Sequence, residues 1–215
     1  MNTIYSKNRL LRSVQLKFAY KFLQYKYFKD FYKGFKSPKS EGKTIVIYAG
    51  IQYHNNSPFE ILVAKLLQLR GWKVIYCIYD SSVKFHELTT KQYNSIQRKK
   101  YLKRIFEVGM NIYKASNIEP TFIETLDGGL RDKISSLNSL VDIFDYKIDG
   151  IYLGKLAQQC MFRNLKSTFI DDSPETFQDA KDCLITCVQN YTFFKKIAEK
   201  HNPDAVILSH GIYCT

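Results

Sequence analysis

The chain has 215 residues, 45% hydrophobic and 24% charged, the composition of one soluble globular domain with a core of its own and too short for two well-developed ones. No run approaches the roughly 18 consecutive apolar residues that span a bilayer, and the basic N-terminus lacks the apolar stretch of a secretory signal. The net charge of +12 is concentrated: residues 1–40 carry ten Lys and Arg against the single acid Asp30, which leaves +3 for the rest.

That basic segment comes first in the chain. Leu11, Val14, Phe18, Phe22 and Tyr25 recur at three- and four-residue steps and share one helical face, with Lys17 and Lys21 off the stripe. Aromatics interleaved with lysines fit a helix lying in a membrane interface, its cations on anionic lipid. Lys17, Lys21, Phe18, Phe22 and Tyr25 are therefore the candidate membrane-binding residues. The same composition occurs in single-strand nucleic-acid binders, but no recognisable nucleic-acid-binding fold follows, so a nucleic-acid partner is not expected. A third reading is an aromatic face packed on the protein itself. Ser37 to Gly42 reads as a linker, and the folded domain is expected over residues 43–215.

Thr44-Ile-Val-Ile-Tyr-Ala-Gly50 is a short apolar run rich in β-branched residues, the pattern of a strand buried on both faces of a parallel sheet. Ser57-Pro-Phe-Glu60 then opens a helix, with Ser57 as cap, Pro58 at the first position and Glu60 as capping-box partner. Gly71 ends it, and Lys73 to Ile78 forms the next strand. Residues 91–117 carry helical periodicity, Thr121 to Thr125 reads as a third strand, Leu130 to Ile143 and Ile151 to Leu165 as helices. Asp172-Ser-Pro-Glu175 starts a long helix, with Asp171 and Asp172 complementing its dipole; Asn202-Pro203 terminates it. Ala205 to Leu208 is the last strand. Alternating strands and helices predict an α/β, Rossmann-like doubly wound, mostly parallel sheet.

Ligands of such sheets bind at the carboxyl ends of the strands. The loop after the first strand lacks the Gly-x-Gly-x-x-Gly turn of a dinucleotide site, and the chain has neither a P-loop nor a Gly-x-Ser-x-Gly elbow. The loop does present Gln52, Tyr53, His54, Asn55 and Asn56 just before a helix N-terminus, a position suited to hydroxyl-rich or anionic ligands. Asp80 ends the second strand. At the end of the last strand stand Ser209, His210, Gly211 and Tyr213. An imidazole titrates near pH 6.5, so His210 is the first candidate for a general base, with Asp80 and His54 behind it. A structural reading competes for each of these: a solvated polar loop, or a histidine that merely closes a strand. Five cysteines form no Cys-x-x-Cys pair, and the four histidines fall at no ligand-like spacing to them. Buried free thiols, a cytoplasmic setting and no metal are expected.

Three segments carry a family resemblance: Thr44-Ile-Val-Ile-Tyr-Ala-Gly50, the run from Ser57-Pro-Phe-Glu60 to Leu69-Arg-Gly-Trp-Lys-Val74, and Asp204-Ala-Val-Ile-Leu-Ser-His-Gly-Ile-Tyr213. Over residues 43–215 the chain resembles the N-terminal half of GT-B type bacterial glycosyltransferases of capsule or lipopolysaccharide biosynthesis. The resemblance implies a Rossmann-like domain that holds a glycan or lipid-linked glycan acceptor. It implies no bound cofactor, a nucleotide-sugar donor as co-substrate, and a C-terminal donor domain that this chain does not contain. His210 would deprotonate the acceptor, with Gln52, Tyr53, Asn55, Asn56, Ser209, Gly211 and Tyr213 as substrate contacts. The expected location is the cytoplasm, peripheral to the inner face of the membrane. The alternative is a non-catalytic, peripheral membrane-binding or scaffolding module.

Overall fold

The computed structural model describes residues 42–50, 57–79, 118–165 and 169–208, together with Glu107, Met110, Tyr113 and Ser116, which are helical. Four strands, β1 (Thr44–Gly50), β2 (Lys73–Ile78), β3 (Thr121–Phe122) and β4 (Ala205–Leu208), form one sheet in the order β3-β2-β1-β4. Every pairing is parallel. The fold class is α/β, as the alternation of elements implies.

Side chains alternate across β1 and β2 with the two-residue period of a strand. Ile47, Ala49, Tyr76 and Ile78 face one side, where they pack on Ile61 and Ala64 of α1 (Ser57–Leu69) and on Tyr113. Val46, Tyr48, Ile75 and Cys77 face the other, against Phe193 and Ile197 of α5 (Pro174–His201). The sheet is thus covered by helices on both faces, which is why β1 and β2 are continuously apolar.

The helix ends follow local chemistry. Gly71 takes a left-handed conformation at φ 78, and Trp72 N–H reaches back to the Leu67 carbonyl at 3.0 Å, closing α1. Ser173 caps α5 by accepting from Thr176 N–H at 3.3 Å, with Pro174 at the first position. Asn202 ends α5 at φ 41, and Pro203 prevents continuation.

Several expectations need correction. The helix expected from Leu130 to Ile143 is two: α2 (Gly128–Ser135) and α3 (Leu140–Phe144). Asp127 caps the first, and Ser139 accepts from Asp142 N–H to start the second, so the caps divide a segment whose apolar periodicity runs through. The next helix, α4 (Leu153–Leu165), starts two residues late because Ile151 pairs with Ile148 around an Asp149-Gly150 turn, both residues left-handed at φ 52 and 80. The third strand keeps only Thr121 and Phe122. Asp171 accepts from the backbone N–H and hydroxyl of Ser173, fixing the turn before α5. Cys77, Cys183 and Cys187 are buried free thiols as expected, whereas Cys160 is disulfide-bonded.

Helix α5 has 28 residues, about 42 Å at 1.5 Å per residue, roughly twice the height of the sheet. Its second half covers the sheet. Its first half projects past the carboxyl edge and joins α2, α3 and α4 in a separate core around Ile134, Ile143, Leu153, Met161, Cys183 and Leu184. A helical module therefore stands beyond the edge where the sheet's ligands would bind. The basic segment 1–40 lies outside the described residues, and so do Lys17, Phe18, Lys21, Phe22 and Tyr25.

Candidate functional site at the carboxyl edge

From β1 the chain crosses to β2 through α1 on one face; it reaches β4, on the other side of β1, through α5 on the opposite face. The connections diverge at the β1–β4 boundary, where Tyr48 and Leu208 are register partners. In open α/β sheets ligands bind beyond the strand ends at such a switch point. The polar loop 51–56 continues from Gly50, and Ser209-His210 continues from Leu208. Gln52, Tyr53, His54, Asn55, Asn56, Asp80, Ser209, His210, Gly211 and Tyr213 all lie outside the described residues. The strands they follow are adjacent.

Directly beneath this edge is a hydroxyl–amide cluster that sequence reasoning missed. Tyr79, the residue before Asp80, donates its hydroxyl to Oδ1 of Asn190 on α5. The Tyr48 ring stands edge-on to Phe194 at 5.1 Å and to Tyr79 at 6.3 Å, with its hydroxyl against the Tyr79 and Asn190 groups. Burial pushes both tyrosines well above the ordinary phenol range, and for Tyr79 it outweighs the opposing hydrogen bond to Asn190. Near neutral pH their hydroxyls are therefore un-ionised dipoles. Burial also pushes the nearby Cys77 thiol up to about 12, which makes it a poor nucleophile. The signal for this cluster was present: Asn190 sits three residues after Cys187 and four before Phe194, an amide on an apolar helical stripe.

The opposite face carries a second buried group. Glu60, in the first turn of α1, accepts from the Tyr76 hydroxyl at 3.1 Å. The Tyr76 and Tyr113 ring centroids are 5.3 Å apart. Glu60 is thus engaged with the sheet, a role that its capping-box reading left out. Burial raises Tyr76, with neighbouring Tyr113 and Glu60 adding to the effect, so its hydroxyl remains a donor.

The long helix binds its surroundings through three consecutive residues. Gln189 Nε2 donates to the Glu124 carbonyl at 2.8 Å, Asn190 accepts from Tyr79, and Tyr191 donates to Asp149 at 2.8 Å. This polar waist separates the helical core from the sheet core and fixes the one against the other. Among the described residues no group of three or more His, Cys, Asp or Glu could hold a metal ion.

No protein-family model, curated protein or solved structure matches this chain.

Proposed function

We propose that the chain is the acceptor-side, Rossmann-like domain of a GT-B type glycosyltransferase acting in bacterial surface polysaccharide biosynthesis. One observation carries the reading: an all-parallel sheet ordered β3-β2-β1-β4, with its switch point at the strand ends that lead into the 51–56 loop and Ser209-His210. An acceptor glycan would lie across those ends, its hydroxyls bonded by Gln52, Tyr53, Asn55, Asn56 and Ser209. Gly211 leaves room for close approach and Tyr213 offers a ring to a sugar face. His210 takes the proton from the attacking hydroxyl as the acceptor oxygen bonds to the sugar carbon and the nucleoside diphosphate departs with its electron pair. Asp80 and His54 are the next candidates for that role. The donor is a nucleotide sugar presented by a second domain, in cis or in trans.

In this proposal the basic aromatic segment attaches the domain to an anionic membrane surface where lipid-linked acceptors reside. Among the described residues no helix is long and apolar enough to cross a membrane.

The test is transfer of radiolabelled sugar from nucleotide donors to lipid-extractable acceptors by the full protein with its donor domain. The expected result is label transfer that His210→Ala abolishes. Transfer unaffected by His210→Ala removes the histidine from the mechanism. Loss of cellular function on deleting residues 1–40, with His210→Ala silent, favours the non-catalytic module.

A further inference from the structure

The amino edge of the sheet, opposite the proposed crevice, gathers the chain from three directions. Lys43 leads into β1, Arg70 to Trp72 join α1 to β2, and His201 to Asp204 join α5 to β4. Backbone bonds hold them together: Lys73 N–H donates to the Lys43 carbonyl and Asp204 N–H to the Thr44 carbonyl, each at 2.8 Å. Lys43, Arg70, Lys73 and Lys200 are all exposed. The carboxylate at this edge, Asp204, accepts from Thr44 N–H at 2.7 Å, and Glu199 acts on Lys195 and Tyr191, one and two turns further back along α5. Among the described residues the edge therefore presents these exposed cations against the exposed acids Asp204 and Glu199.

Two further observations give it a character beyond charge. The Lys43 ammonium lies 5.5 Å from the centroid of the half-buried Trp72 ring. Indole beside ammonium is the pairing that settles at headgroup depth, where the ring is amphipathic and the cation meets phosphate. The half-buried His201 imidazole is lowered chiefly by burial and then by Lys73 and Lys200, so positive charge converges on one spot. Lys43 also follows, after Glu41 and Gly42, the segment whose ten cations face a single acid.

We propose that this amino edge, with Lys43, Arg70, Trp72, Lys73 and Lys200, is the face on which the protein sits against an anionic lipid surface. The inference rests on the membrane reading of residues 1–40 and adds an orientation to it. The carboxyl edge then points away from the bilayer by about the height of the sheet, about 20 Å at 3.3 Å per residue. At that distance the crevice meets the distal end of a lipid-linked glycan and not the headgroup next to the carrier.

Trp72 is the only tryptophan of the chain and reports on this edge alone. The full chain is floated with phosphatidylglycerol vesicles and with phosphatidylcholine vesicles, while Trp72 emission and its quenching by brominated lipid are recorded. Expected are flotation with the anionic vesicles only, a blue shift, and quenching that high salt reverses. Lys43→Gln and Lys73→Gln each weaken partitioning by about fivefold, the Boltzmann factor for the typical worth of one cation at such a surface. Flotation with a silent Trp72 overturns the orientation and leaves the segment's role intact. No flotation overturns both. A Trp72 response to a single-stranded oligonucleotide with none to vesicles replaces lipid by nucleic acid as the partner.

Discussion

Gly154 offers a stringent test of how the helical module is built. It lies in the first turn of α4, where that helix crosses the end of α3. A Cβ placed there would stand 2.2 Å from the Ile143 carbonyl oxygen and 2.6 Å from both the carbonyl carbon and oxygen of Phe144. All three are backbone atoms, so no side chain can turn aside. Reaching the 3.0 Å below which Cβ contacts are essentially unknown requires a displacement of about 0.8 Å. That movement would disturb the hydrogen bond from Gly154 N–H to the Tyr146 carbonyl at 3.0 Å. Overpacking of this kind costs about 1–3 kcal/mol and a weakened hydrogen bond about 1 kcal/mol; the better helix propensity of alanine returns about 1 kcal/mol. Gly154→Ala should therefore destabilise the protein by about 2 kcal/mol, lowering Tm by about 4–8 °C for a chain of this size. The assay is urea and thermal unfolding followed by circular dichroism. Gly128→Ala is the control: it lies at the start of α2 with nothing within 4 Å of its would-be Cβ, and should be neutral or stabilising by up to about 1 kcal/mol. Equal stability of Gly154→Ala and the parent would refute the α3–α4 packing described above.

Other perturbations address the carboxyl edge and the waist of α5. Asn190→Ala leaves the buried Tyr79 hydroxyl without its acceptor and should cost about 1–3 kcal/mol; Tyr79→Phe in that background should cost less than it does alone, which a double-mutant unfolding cycle measures. The Asp149 carboxyl is held below its ordinary range by hydrogen bonds from Lys195 at 2.6 Å and Tyr191 at 2.8 Å. A depressed carboxyl contributes stability that is present above its unfolded-state pKa and lost as pH falls through its folded-state value. Asp149→Asn keeps the left-handed backbone and removes the charge, so its small deficit near neutral pH should close as pH drops below about 4. A deficit that stays constant with pH would show that the ion pair is not its source.

The sheet was readable from sequence because its signals are redundant. In β1 and β2 the apolar runs, the capped α1 between them and the glycine after it all indicate the same unit, and the bounds of β1 and β2 agree with those read from the residues. Helix α5 was legible for the same reason, with Ser173-Pro174 at one end and Asn202-Pro203 at the other. The α2–α3 break was not, because Leu137 and Leu140 keep a helical spacing across it and only local capping by Ser139 marks the interruption. Nor was the division of α5 between two cores. Its apolar stripe is continuous, and which half meets which core depends on tertiary packing. At the site, the strand ends follow from the apolar runs, but the adjacency of β1 and β4 was not read from the residues, and the Tyr48–Tyr79–Asn190 cluster brings together residues 111 positions apart between Tyr79 and Asn190. No local pattern could have joined them.

Acceptor-glycan binding at the β1–β4 strand ends is open to direct observation. Nuclear magnetic resonance of the isotope-labelled protein, titrated with oligosaccharide fragments of bacterial surface polysaccharides, tests it most directly. Saturable shifts are expected, concentrated at Tyr48 to Ser57, Tyr79, Asp80 and Leu208 to Tyr213, and reduced by His210→Ala and by Asn55→Ala. Shifts confined to other surfaces, or none with any fragment while the fold stays intact, would contradict it.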